Sequence, residues 1–199
     1  VLLDNGDILQ GQPIAYYYNY MDTKSPHLCS AVLNYMQYDA GTVGNHDVET
    51  GHAVYDRWVK QCKFPMLGAN VIVTKNEKPY WKPYTIIERQ GVKIAVLGMI
   101  TPGIPMWLPE NLWSGLRFDD MLQVAQRYMP EMRKKADIVV GLFHSGVGKD
   151  KGTPIAAENA SVAVAEKVPG FDIVFCGHDH RRANRRIVNT AGDSVWVLN

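Results

Sequence analysis

Four of the six histidines, His46, His144, His178 and His180, sit in short polar turns that contain glycine. The turns read Gly44-Asn45-His46-Asp47, His144-Ser145-Gly146 and Gly177-His178-Asp179-His180, and another, Gly6-Asp7, carries a carboxylate. Glycine beside each polar residue lets the backbone turn sharply and come close to whatever the side chains hold. Taken singly, each piece is ordinary: a His after a strand is usually just hydrogen-bonded, and Gly-Asp is a common turn. Four such turns in series predict a metal site. Imidazole with carboxylate and amide oxygen, and no thiolate, suits Mn, Zn, Fe or Ni better than Ca. Two-metal hydrolytic sites hold ions roughly 3.5–4 Å apart and clamp the attacking and leaving oxygens of an in-line displacement. Such a pair needs a bridging carboxylate, for which Asp7 is the best candidate. Neutral ligands such as Asn45 and the histidines leave the cluster net positive, which favours an anionic phosphate substrate. The other two histidines, His27 and His52, begin helix-like segments and read as surface or capping residues.

The elements that must position these groups follow from periodicity. Each turn closes an apolar strand-like run: Val1 to Asn5, Asp39 to Val43, Asp137 to Phe143 and Phe171 to Cys176. Further strands are predicted at Pro65 to Val71, Tyr84 to Arg89, Val92 to Met99, Arg186 to Asn189 and Val195 to Leu198. Helices are predicted over Ser25 to Tyr38, Gly51 to Gln61, Phe118 to Lys135 and Pro154 to Lys167, the first opened by a Ser25 cap followed by Pro26. Strand and helix alternation predicts an α/β layered fold, and continuous apolar strands fit a sheet covered on both faces. In such sheets ligands gather outside the carboxyl ends of the strands, so the polar turns should converge. Thr101 to Leu116, with Trp107 and Trp113, reads as a long loop or flap. Tyr16, Tyr17, Tyr18 and Tyr20 form a dense aromatic run, for which core or helix-face packing is the default and a base-stacking platform the alternative.

Composition bounds the function classes. A 199-residue chain with net charge +1, 46% hydrophobic and 21% charged residues is a globular chain of one domain. Balanced charge gives no global pull towards nucleic acid or an anionic membrane, and no apolar run reaches the roughly 20 residues that span a bilayer. Three cysteines without close pairing argue against a disulfide framework or a Cys-type zinc site, so Cys29, Cys62 and Cys176 read as small apolar residues. Arg181, Arg182, Arg185 and Arg186 read as a solvated face rather than a phosphate clamp.

Gly6-Asp7, Gly44-Asn45-His46-Asp47, His144 and Gly177-His178-Asp179-His180, in this order, resemble the signature of the calcineurin-like metallophosphoesterases. Leu3 to Gly11 with Pro13, Phe64-Pro65 with Gly68-Ala69-Asn70, and Ala157-Glu158-Asn159 ahead of Val168-Pro169-Gly170-Phe171-Asp172 resemble its 5′-nucleotidase branch. Within that branch the Glu-Asn and Val-Pro-Gly features are most similar to the 2′,3′-cyclic-nucleotide 2′-phosphodiesterase/3′-nucleotidase group. The resemblance implies a layered β-sandwich flanked by helices and two divalent ions. It makes Asp7 the bridge, assigns Asn45, His144 and His178 to one ion, and gives His180 to the other. It makes His46 the group that contacts the phosphate and stabilises or protonates the leaving oxygen, with Asp47 hydrogen-bonded to His46 to hold its proton. Asn159 is a candidate for the substrate cleft, with a helix-surface role as the equal alternative.

The resemblance also implies that residues 1–199 are a catalytic domain lacking the fold's first strand, with its Asp-x-His ligands, and a C-terminal domain for nucleobase recognition. On that expectation the chain binds one metal better than the other and turns over poorly. The implied substrate is a small nucleotide, with no nucleic-acid polymer and no membrane span, and the implied location is a bacterial periplasm or cell surface. A 5′-nucleotidase, a nucleotide-sugar hydrolase and a non-catalytic metal- or nucleotide-binding module stand as alternatives.

Overall fold

The computed structural model describes residues 1–148 and 158–199. β1 (Leu3–Asp4) runs through the Gly6-Asp7 turn to α1 (Pro13–Tyr16), a π-helical turn over Tyr17–Met21, α2 (Leu28–Tyr35) and β2 (Ala40–Thr42). Next come α3 (Asn45–Val48), α4 (His52–Gln61), β3 (Met66–Leu67), β4 (Val71–Val73), β5 (Lys78–Pro79), β6 (Tyr84–Arg89) and β7 (Val92–Ile100). α5 (Ile104–Trp107) and a 3-10 turn over Glu110–Leu112 lead to β8 (Leu116–Phe118), α6 (Met121–Lys135) and β9 (Ile138–His144). The chain continues through α7 (Ser161–Lys167), β10 (Ile173–Cys176), β11 (Asn184–Val188) and β12 (Ser194–Leu198).

Two sheets form the centre. The larger has the order β11-β12-β10-β9-β7-β6, its inner four strands parallel and its two edge strands antiparallel. The smaller is parallel, in the order β1-β2-β3, and a separate three-stranded ribbon, β5-β4-β8, lies beside them. The sheets pack face to face through Ala40, Leu67, Val96, Val140 and Leu142. The approach is close enough that a Cβ at Gly98 of β7 would collide with Leu67 of β3. α6 and α7 cover the far face of the large sheet, burying Met121, Val124, Ala125, Val164 and Ala165 among its strands. α2 and α4 contribute Leu33, Val54, Tyr55 and Trp58 to the core beyond the small sheet. This is the expected layered sandwich flanked by helices.

Local departures from the expectations have physical causes. The strand read across Pro65 to Val71 breaks into β3 and β4 because Asn70 is buried and uses its amide on Ile100 and Asp119 backbone groups. Phe118 pairs with Val71 as a strand residue, so α6 begins only after Asp120, whose carboxylate caps it at the Gln123 N–H. His27 rather than Ser25 caps α2, and it is fully buried rather than on the surface, its ring accepting from the Cys29 N–H. His52 opens α4 and bonds to Asp56 and to the Ser114 carbonyl. The expected helix from Pro154 is seen as α7 from Ser161, residues 154–157 lying outside the described residues. The tyrosines depart most: Tyr16, Tyr17 and Tyr20 are exposed and the buried residue of their turn is Asn19. Cys176 is buried, while Cys29 and Cys62 are half-buried and unpaired. Among the described residues no helix is long and apolar enough to cross a membrane.

Candidate metal centre

Four of the residues read from the sequence meet where β1, β2, β9 and β10 end. Asp7 follows β1, Asn45 opens α3 directly after β2, His144 is the last residue of β9, and His178 follows β10. Nε2 of His144 lies 3.1 Å from Asp7 Oδ2 and 3.1 Å from Asn45 Oδ1. Nδ1 of His178 is 2.8 Å from the same Asn45 oxygen, and the two imidazole rings stand 5.5 Å apart. His144 is buried and Asp7 and His178 nearly so.

The other nitrogen of each ring explains the arrangement. His144 Nδ1 donates to the Asn5 carbonyl at 2.6 Å, so its proton is fixed there and Nε2 presents a lone pair. His178 Nε2 donates to Glu158 Oε1 at 2.7 Å, leaving Nδ1 bare in the same way. Two imidazole lone pairs, a carboxylate oxygen and an amide oxygen therefore face one another. Electron-rich atoms at this spacing call for a positive charge between them, either a proton or a cation. Although burial opposes it, the Asp7 hydrogen bond and charge raise the affinity of His144 for a proton above that of an ordinary imidazole. Asp7 is correspondingly lowered, burial being outweighed by the hydrogen bond and charge of His144. The donor set fits a divalent ion of the kind that imidazole, carboxylate and amide ligands hold. No group of three or more His, Cys, Asp or Glu among the described residues closes on one point by itself, and Asn45 is what joins Asp7 to both imidazoles.

Backbone geometry shows how tightly this corner is drawn. A Cβ at Gly44 would collide with Asp7 Oδ1, so only glycine lets the two turns approach. Asp7, His178 and His180 all have positive φ, a costly conformation for residues with side chains, and such strain collects at functional sites.

Asp47 departs from the role expected of it. It does not bond to His46. Its fully buried carboxylate instead accepts from the backbone N–H groups of Asp7, Ile8, Leu9 and Gly44, at 2.8–3.0 Å. Burial and the nearby Asp7 charge push its affinity for a proton upward, against those hydrogen bonds. A helix turn carries side chains three apart to one face, so the partner of His46 is Glu49, whose Oε2 lies 2.7 Å from Nδ1. The His46 N–H donates to Asp7 Oδ1 at 2.9 Å, which places His46 beside the cluster with its ring half-exposed.

His180 is exposed and makes no hydrogen bond or ion pair with another described residue, so the cluster forms without it. Asn159 also stands outside, its Oδ1 buried over Gly146 and without a partner among the described residues, while its neighbour Glu158 reaches His178. Glu49 and Glu158 are the functional candidates that sequence reasoning missed. The first was signalled by the i,i+3 spacing from His46, the second by the Glu-Asn pair itself. Trp107, at the end of α5 in the expected flap, lies nearly parallel to the His178 ring at 5.4 Å and 27°. Arg181, Arg182 and Arg186 are exposed.

The layered sheets carry a candidate metal site in the donor cluster at their strand ends, and the profile of the calcineurin-like phosphoesterases matches residues 1–182. The chain belongs to that family. It is 40% identical, over 194 residues and 91% of its length, to a 2′,3′-cyclic-nucleotide 2′-phosphodiesterase/3′-nucleotidase of Haemophilus influenzae. It is 35% identical over 196 residues, 90% of its length, to the trifunctional nucleotide phosphoesterase YfkN of Bacillus subtilis. The chain spans 29% of the first relative and 13% of the second. The crystal structure of calcineurin-like phosphoesterase YfkN from Bacillus subtilis superposes with a TM-score of 0.87 at 29% identity, covering 99% of this chain and 66% of that one.

Proposed function

We propose that the chain hydrolyses nucleotide phosphoesters with divalent metal, 2′,3′-cyclic nucleotides and 3′-nucleotides being its substrates. The observation that carries this reading is the convergence of Asp7, Asn45, His144 and His178 on one point with His46 beside it. The name of the Haemophilus influenzae relative supports the substrate class. Asp7, Asn45, His144 and His178 would hold one ion, with Asp7 and His180 the residues left for a second. Bound divalent ions would supply Lewis acidity, polarising the phosphoryl oxygens and the water that attacks them.

The chain's own residues supply the rest. Asn5 and Glu158 hold the imidazole protons on the far side of each ring, so that the near nitrogens stay available. Asp47 ties the Asp7-Ile8-Leu9 backbone to the Gly44 turn and keeps the ligands in register. Glu49 holds a proton at His46 Nδ1, which leaves Nε2–H of the imidazolium to be donated to the departing oxygen. The same reading places the protein in a bacterial periplasm or on the cell surface, on family resemblance.

Mn²⁺ titration by calorimetry and hydrolysis of 2′,3′-cyclic AMP against 5′-AMP test it. The expected result is Mn²⁺ binding that His144→Ala abolishes, chelator-sensitive turnover that favours the cyclic substrate, and a loss of about 10²–10⁴ in kcat for His46→Asn. Mn²⁺ affinity unchanged in His144→Ala, or a preference for 5′-AMP, would overturn it.

A further inference from the structure

α5 carries a large apolar ring that the core does not take up. Its neighbours Ile104 and Leu108 pack into the core beyond the small sheet, whereas Trp107 is 41% exposed and lies against His178, the ring centroids 5.4 Å and the planes 27° apart. We infer that Trp107 is a positioning residue of the metal centre, its indole holding the His178 imidazole in the orientation that turns Nδ1 towards the ion. The inference rests on the metal-binding reading above.

The flap that carries the ring starts beside the other imidazole. Ile100 of β7 pairs with His144 of β9, and the next residue, Thr101, donates its N–H to the His144 carbonyl at 2.8 Å. Thr101 is buried, and its hydroxyl accepts from the Gly103 N–H at 3.2 Å. Ile104 is fully buried, and the Leu108 carbonyl accepts from Trp113 Nε1 at 3.0 Å. Trp107 therefore lies between two anchored residues, at the end of a segment tied to one ligand strand and in contact with a ligand that follows another. Gly103 completes its seat. A Cβ there would run into the benzo edge of the indole, so the ring occupies the space that any other side chain would need, with His178 as its further neighbour.

The polar contacts of His178 leave one motion for such a ring to stop. Nδ1 lies 2.8 Å from Asn45 Oδ1 and Nε2 lies 2.7 Å from Glu158 Oε1, which fixes the imidazole at two atoms. Two points leave the ring free to tilt about the line joining them, and the Nδ1 lone pair, which does not lie along that line, swings with the tilt. A nearly parallel indole face opposes it. His178 also holds a positive φ of 73°, a strained backbone that surrounding contacts must maintain. The stack favours the loaded state as well: an imidazole that has given electron density to an ion is electron-poor, and the electron-rich face of an indole attracts it more strongly.

Two measurements test the role: NMR of the His178 ring protons in the metal-free chain, identified by their absence in His178→Gln, and Mn²⁺ titration by calorimetry. In the wild type the indole should shift those protons upfield, and Trp107→Leu should remove the shift and weaken Mn²⁺ binding about 2–10-fold, the size of an aromatic pair. Trp107→Phe, which keeps an aromatic face in place, should restore both. Gly103→Ala leaves the tryptophan in the chain but pushes the indole aside, and should act like Trp107→Leu. Trp196→Leu, on an exposed ring that pairs with Ile173 at the far end of β10, should change neither. Mn²⁺ affinity unchanged in Trp107→Leu, or in a Gly103→Ala chain that has lost the ring shift, would overturn the role and leave the metal reading standing. So would a loss of equal size in Trp196→Leu. A wild type that shows the ring shift but binds no Mn²⁺ would overturn the metal reading and this role with it.

Discussion

At the scale of single residues, the function of each imidazole is decided by its second nitrogen. Glu158 is the partner that leaves Nδ1 of His178 bare. Glu158→Gln is expected to weaken Mn²⁺ binding by about 10–100-fold, the usual cost of losing such a partner. Calorimetry checks this, and an unchanged affinity would remove Glu158 from the site. His27 follows the same logic away from the metal. Cys29 N–H donates to its Nδ1, so the ring proton sits on Nε2 facing Asn19, and a second proton would have to displace the cap. Burial, with the nearby Arg57 charge, lowers its pKa from 6.5 to about 4. Between those values the unfolded chain binds more protons than the folded one, so stability is full above pH 6.5 and falls as pH drops towards 4. The loss is on the order of 3 kcal/mol at 1.36 kcal/mol per pK unit. Urea unfolding of wild type and His27→Gln across this range should show the wild-type slope and a flatter variant. The donor residues were legible because strand-end turns repeat their types. Glu49 replaced Asp47 as the His46 partner because a helix turn sets i and i+3 on one face, which residue identity alone does not reveal.

Elements place those residues through close approach more than through propensity. β7 and β9 read clearly from the sequence because each is an apolar run buried between two layers. β3, β4 and the cap of α2 were less legible, since buried side chains of Asn70 and His27 claim the backbone bonds that local patterning would assign elsewhere. Gly98 marks a close approach of the two sheets, where a Cβ would meet Leu67. Gly98→Ala is expected to push β7 from β3 and cost about 1–3 kcal/mol, the range for overfilling a packed core. A denaturation midpoint equal to that of wild type would show that Leu67 yields without cost. The tyrosine run belongs to this scale too. Its outward display comes from Asn19 and Arg57 beneath it, contacts made across a turn and a helix that no aromatic pattern encodes.

Across the whole molecule, the cluster gathers one residue from the end of each of four strands that belong to two different sheets. An ion held there would bind only the folded sandwich, so metal should raise stability by mass action, about 2.7 kcal/mol at a hundredfold excess over Kd. Thermal unfolding with and without Mn²⁺ should show an upward shift that His144→Ala abolishes, and an equal shift in the variant would place the ion elsewhere. What the sequence by itself determined was the family and the alternation of strands and helices, and it offered the candidate donors, because glycine-flanked polar residues at strand ends are written in consecutive residues. What only the tertiary structure decided was which donors meet, which carboxylate serves which imidazole, and that Trp107 of the flap lies against His178. Those outcomes depend on distances between residues far apart in the chain, which the packing of the two sheets against each other sets.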